Sequence, residues 1–121
     1  EYMHRCKTGA LITAAVLAGA CIGRAAETEY EALKEYAANI GLAFQIKDDI
    51  MDVEGSLERM GKMSGKDAAS GKNTYVSVYG LDKAARLLDR SVSAAVGALG
   101  CFGGEAGFLR DLALFIKDRE N

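Results

Sequence analysis

Asp48, Asp49 and Asp52 crowd three carboxylates into the five-residue run Asp48-Asp49-Ile50-Met51-Asp52. On a helix of 3.6 residues per turn, Asp48 and Asp52 stand one above the other with Asp49 beside them. Gln45 stands one turn earlier, so 45, 48, 49 and 52 form a polar stripe, while Leu42, Ile46, Ile50 and Val53 line a different face and read as core. Adjacent carboxylates repel one another and are costly on a largely apolar helix unless a cation offsets them. A hard divalent metal with oxygen ligands does this. Magnesium suits best, because it takes only one or two protein carboxylates and fills its other positions with water and substrate phosphate. The triplet thus reads as a metal site built from Asp48, Asp49 and Asp52. It also suits a solvated acidic face, since charged side chains usually point at water.

The segment that follows carries the complementary charge. From Glu54 to Asn73 the apolar period breaks, and Gly55, Gly61, Gly65 and Gly71 alternate with Lys62, Lys66 and Lys72. A mobile backbone studded with point charges, directly after a metal site, can close over a diphosphate and exclude water. Ordinary solubilising lysines on a surface loop would look the same.

The elements that must position these groups are helical. The 121 residues make one domain at most, half of them are apolar, and proline and tryptophan are absent. At the average usage of ~5% a chain of this length would carry several prolines. Their absence, with abundant alanine, argues for an all-α fold. The pattern predicts helices over about 2–21, 29–53, 74–79, 82–99 and 105–117, with a mobile Gly/Lys loop over 54–73. Gly9, Ala10, Ala14, Ala15, Ala18 and Gly19 give the first helix small surfaces that suit the centre of a bundle. Thr28 and Glu31 have capping-box spacing at the start of the second. Leu33, Tyr36, Ala37 and Ile40 continue its apolar face, and Gly41 allows close packing against the first helix. The aspartates fall on its last turns, the unfavourable end for anions, which again calls for a cation. Gly80 suits a left-handed cap after the short helix. In the fourth helix Ala85, Leu88, Val92, Ala95, Val96 and Leu99 should face inward; in the fifth, Phe108, Leu109, Leu112, Phe115 and Ile116.

The net charge of −2 gives no bulk attraction to nucleic acid or to an anionic membrane. The least polar run, Gly9 to Gly23, falls short of the ~20 residues of a membrane span and reads as a buried helix. No leader cleavage pattern follows Glu1-Tyr2-Met3-His4-Arg5. Cys6, Cys21 and Cys101 lack metal-ligand spacing and read as reduced, buried thiols of a cytoplasmic protein. His4, the single histidine, is assigned no role.

The segment Phe44-Gln45-Ile46-Lys47-Asp48-Asp49-Ile50-Met51-Asp52 resembles the second aspartate-rich motif of the trans-isoprenyl diphosphate synthases, which include farnesyl and geranylgeranyl diphosphate synthases. Other family features recur around it in order. Lys7-Thr8 resembles the family's Lys-Thr helix, Gly61-Lys62 its Gly-Lys pair, and Gly71-Lys72-Asn73-Thr74-Tyr75 the approach to the next helix, with Val76 where many bacterial members have proline. The resemblance implies the C-terminal part of the isoprenoid-synthase helical bundle. It also implies prenyl transfer, in which a magnesium-bound allylic diphosphate leaves and the carbocation is attacked by isopentenyl diphosphate. On this basis Lys7, Lys62 and Lys72 contact diphosphate, Thr8 and Gln45 orient substrate, and Asp48 and Asp49 serve the metal with Asp52 in support. It further implies a homodimer for the full-length protein and, from overall similarity to bacterial members, C15 or C20 products.

The resemblance runs from about Met3 to Asp118, less than half of a complete synthase. No second Asp-Asp-x-x-Asp pattern and no Arg-Arg pair occurs, so the chain alone is expected to be inactive. Two other readings share its features: a squalene-synthase-like enzyme, and a non-catalytic helical subunit that keeps the fold. The joint presence of Lys-Thr, Phe-Gln-x-x-Asp-Asp and the Gly-Lys segment weighs against the first. The intact charges of Asp48, Asp49, Lys7 and Lys62 weigh against the second.

Overall fold

The computed structural model describes residues 2–62 and 74–120, with the side chains of all of these except 2–6, 60 and 62. The expected sites at Lys72 and the side chain of Lys62, and the 63–73 part of the Gly/Lys segment, therefore lie outside the described residues, as do the side chains of His4 and Cys6. Among the described residues five α-helices run in order: α1 (Tyr2–Ile22), α2 (Glu27–Lys62), α3 (Tyr75–Tyr79), α4 (Leu81–Ala98) and α5 (Gly107–Asp118), with a 3₁₀ segment, Leu99–Ala106, before the last. No strand occurs among the described residues, as an all-α fold requires.

Helix α2 is the spine. Tyr36, Ala37, Ile40, Ala43, Ile46 and Ile50 are buried along it, steps of three and four that gather one apolar face. Against that face pack α4, through Ala84, Leu88, Val92 and Ala95, and α5, through Ala113 and Ile116. Ser91, the polar residue buried on α4, donates from Oγ to the Leu87 carbonyl at 2.9 Å. α1 lies on another side of α2 and meets it closely at one point. A Cβ added to Gly41 would stand 3.2 Å from the Gly9 Cα, so glycine at 41 is what lets the two backbones touch.

A tight turn joins these two helices. The Ala25 N–H donates to the Ala20 carbonyl at 2.9 Å and the Arg24 N–H to that of Cys21 at 3.1 Å, with Arg24 at φ 52°. This is the helix-ending arrangement usually completed by glycine.

Several boundaries differ from those the sequence suggests. α2 begins at Glu27, with Glu29 rather than Glu31 accepting a hydrogen bond at the N-terminus, from the Ala26 N–H at 2.8 Å. It ends at Lys62, so the nine residues 54–62 are helix and not loop, and the aspartates lie mid-helix rather than in its last turns. Glu, Leu, Arg, Met and Lys are good helix formers, and they carry the helix on where its apolar period has ended. Thr74 caps α3, with its side chain accepting from Ser77 N–H while Ser77 Oγ accepts from Thr74 N–H. Gly80 follows at φ 81°, ψ 160°, a positive φ but not the left-handed helical cap expected.

Burial also departs in places. On α4 Ala84 is buried and Ala85 exposed. On α5 the inward positions are Ala113 and Ile116, flanked by Leu109 and Leu112, while Phe108 and Phe115 are exposed. Leu42 is exposed as well, and Cys21 and Cys101 are free and exposed rather than buried. Among the described residues α1 packs only against α2, and Leu11 is 72% and Ile22 84% exposed. The stretch Leu81–Asp118 is long and apolar enough to cross a membrane by length and composition alone. Gly103 breaks it (φ 56°, ψ −136°), and its first half packs on α2.

Candidate functional site

The three aspartates do not point the same way. Asp48 and Asp52 are exposed, one turn apart on the outward side of α2. Asp49 is turned inward at 2% exposure, and its Oδ2 accepts a hydrogen bond from the Tyr75 N–H at 2.8 Å. Tyr75 is the first residue of α3, where a backbone N–H has no partner within its own helix. The inward carboxylate thus joins α2 to α3 across 26 residues of sequence.

Asp48 has a partner that its motif does not suggest. Arg119 forms an ion pair with Asp48 Oδ1, and its Nη2 donates to the Phe44 carbonyl at 3.3 Å. The guanidinium carbon lies 4.1 Å from the centroid of the Phe44 ring, a cation–π arrangement. The Arg119 side chain is 18% exposed and that of Asp48 50%, so the pair sits at the edge of solvent. Lys117 faces elsewhere and pairs with Asp89 at 2.8 Å, a hydrogen bond that raises the pKa of its ammonium. Neither basic residue stands in a motif that marks it for a role. Phe44, with two apparently plain neighbours in Leu42 and Ala43, gave no sign that it would hold an arginine from 75 residues away.

The Arg119 contact should contribute modestly. An edge-exposed ion pair and a cation–π contact each stabilise by about 0.5–1 kcal/mol. Its Nε is buried without an acceptor, which offsets part of that. Arg119→Ala is therefore expected to lower unfolding free energy by about 1 kcal/mol in urea denaturation.

On the α1 side, Gln45 is half-buried, and its Nε2 lies 3.8 Å from where a Cβ on Gly9 would stand. The helix crossing at Gly9 and Gly41 therefore brings Thr8, half-buried, and Lys7, exposed, to the level of Gln45, one turn before Asp48. The backbone of Lys62 lies further along α2. It ends the helix 14 residues beyond Asp48, and a straight helix rises about 21 Å over that span.

Asp48 and Asp52 supply the hard oxygen donors that magnesium takes, and one or two protein carboxylates suffice for that ion. No group of three His, Cys, Asp or Glu side chains converges as a metal-holding cluster among the described residues. The donor set fits a metal shared with a ligand phosphate, not one caged by protein alone.

Comparison with known proteins places this geometry in a family. The family model described as polyprenyl synthetase matches residues 1–97. The chain is 41% identical over 122 residues to geranylgeranyl pyrophosphate synthase 11, chloroplastic, of Arabidopsis thaliana, covering 100% of this chain and 34% of that one. It is 36% identical over 121 residues to the farnesyl diphosphate synthase of Bacillus subtilis, covering 100% of this chain and 41% of the relative. Among solved structures it resembles the apo crystal structure of an FPP/GFPP synthase from Zymomonas mobilis. There the TM-score is 0.76 at 41% identity, over 91% of this chain and 34% of that one. The chain thus spans only about a third to two fifths of the length of these relatives. With the family model covering most of its residues and its helices superposing on a solved member, the chain belongs to the polyprenyl synthetase family.

Proposed function

We propose that these residues form one wall of the active site of a short-chain isoprenyl diphosphate synthase. The reaction joins an allylic diphosphate to isopentenyl diphosphate and yields a C15 or C20 product. The observation that carries the reading is the outward pair Asp48 and Asp52, set beside the crossing that brings Lys7 and Thr8 to Gln45. The similarity to farnesyl and geranylgeranyl diphosphate synthases supports the same substrate class.

In this reading Asp48 and Asp52 hold magnesium, which when bound screens the diphosphate charge and helps that group to leave. Lys7 offers a point charge to the diphosphate from the α1 side, and Thr8 and Gln45 orient substrate by hydrogen bonding. Arg119 provides Asp48 with a counter-charge until a cation takes its place. Lys62 and Lys72 enter only through the family pattern of Gly-Lys pairs. The parent enzyme would act in the cytoplasm as a homodimer, and the 121 residues alone would be inactive.

The test is Asp48→Asn in the intact protein, assayed for prenyl transfer from an allylic diphosphate. Loss of a transition-state charge partner of this kind lowers kcat by about a hundredfold or more. Unchanged turnover would remove Asp48 from the chemistry.

A further inference from the structure

Of the three aspartates, one is engaged in a way that ligand chemistry does not explain. Asp49 is buried, and its Oδ2 accepts the first N–H of α3. α3 has only five residues, none of them buried, and a helix that short does not hold its shape by itself. Its own capping box, between Thr74 and Ser77, satisfies donors within the turn. Attachment comes from the half-buried Tyr75 and Val76 and from the Asp49 carboxylate.

We infer that Asp49 is a positioning residue rather than a metal ligand. Its carboxylate fastens the start of α3 to α2, next to the outward aspartates. Two physical points support this. Asp49 is 2% exposed while Asp48 and Asp52 open to solvent, so a hydrated ion reaches the outer pair and not Asp49. The hydrogen bond from the Tyr75 N–H to that buried carboxylate is charge-assisted, and it holds the side chain in its inward direction. The inference rests on the proposed role of Asp48 and Asp52 and deepens it, by reducing the metal set from three carboxylates to two. It also assigns a structural partner to the motif: the backbone N–H of Tyr75 at the start of α3.

The experiment uses the intact protein and three variants, Asp48→Asn, Asp49→Asn and Asp49→Ala. Magnesium chloride alone is titrated calorimetrically, and exchange of the Tyr75 amide is followed separately. Asn keeps an acceptor oxygen and rescues the tether, whereas Ala removes it. The expected result is that Asp49→Asn binds magnesium within about threefold of the parent, while Asp48→Asn loses about tenfold or more. Asp49→Ala should speed Tyr75 exchange by roughly tenfold or more, and Asp49→Asn by much less. The inference is overturned if Asp49→Asn loses magnesium as Asp48→Asn does, or if Asp49→Ala leaves Tyr75 exchange unchanged. Failure of the underlying reading looks different. Asp48→Asn would then bind magnesium like the parent, and Tyr75 exchange alone would decide for or against the tether.

Discussion

Gly41→Leu is expected to push α1 off α2 and to cost about 3 kcal/mol of stability. The reason is local and severe. Even a bare Cβ at this position would stand 3.2 Å from a backbone atom, the Gly9 Cα, with the Gly9 carbonyl oxygen at 3.7 Å. A flexible side chain could swing aside, but a helix backbone can yield only by moving the whole helix. The graded control is Gly41→Ala. There the better helix propensity of alanine, worth about 1 kcal/mol over glycine, works against the tight contact, so the net change should stay within about 1 kcal/mol. Thermal melting separates the two variants, and amide exchange in α1 shows whether the loss is confined to that helix. If Gly41→Leu melts like the parent, the helices do not cross at this point. The consequence reaches the site, because the same crossing sets Lys7 and Thr8 beside Gln45.

Tyr36→Ala should cost as much or more, about 3–5 kcal/mol. Tyr36 is 1% exposed in the first third of α2, and its hydroxyl donates to the Leu109 carbonyl at 2.8 Å, tying α2 to α5. Tyr36→Phe separates the ring from the hydroxyl. It keeps the packing, leaves the Leu109 carbonyl without this donor, and should cost about 1 kcal/mol. Alkaline pH gives an independent readout. Burial raises the Tyr36 pKa from 10.0 to about 12. Its share of the stability is therefore complete below pH 10 and is lost as the pH rises toward 12, on the order of 2–3 kcal/mol. Denaturation midpoints measured at intervals from pH 9 to 12 should fall more steeply in the parent than in Tyr36→Phe. Equal slopes would mean that Tyr36 titrates as it does in the unfolded chain.

What could be read from the sequence depended on how local the determining physics was. The all-α architecture followed from the missing prolines and the helical spacing of Tyr36, Ile40 and Ile50, all signals carried within one or two turns. Gly41 was legible as a packing glycine because a helix-weakening residue in a helical pattern usually serves close approach. The end of α2 was not legible, because Glu54 to Lys62 has helix-forming residues but no apolar stripe, and periodicity ends before the helix does. Phe108 and Phe115 misled for the opposite reason. They are the aromatic residues of α5, yet that helix rests on Ala113 and Ile116, and nothing within α5 says which stripe its neighbour will take. The aspartates were legible as a chemical group but not in their directions. The hydrogen bond from Tyr75 to Asp49 and the approach of Arg119 to Asp48 both come from residues far off in the chain.

Those long spans bear on how the molecule comes into being. Tyr36 finds its hydrogen-bond acceptor 73 residues later, and the Phe44 carbonyl finds Arg119 75 residues later. At a synthesis rate of about 5–20 residues per second, the apolar face of α2 waits roughly 4–15 s for the last of its covering helices to be made. Helix α4 reaches that face earlier, and α5 completes it. The α1–α2 pair is a local contact, whereas the contacts of α5 with α2 close long loops late. The nascent α2 is the segment that a ribosome-associated chaperone would be expected to hold.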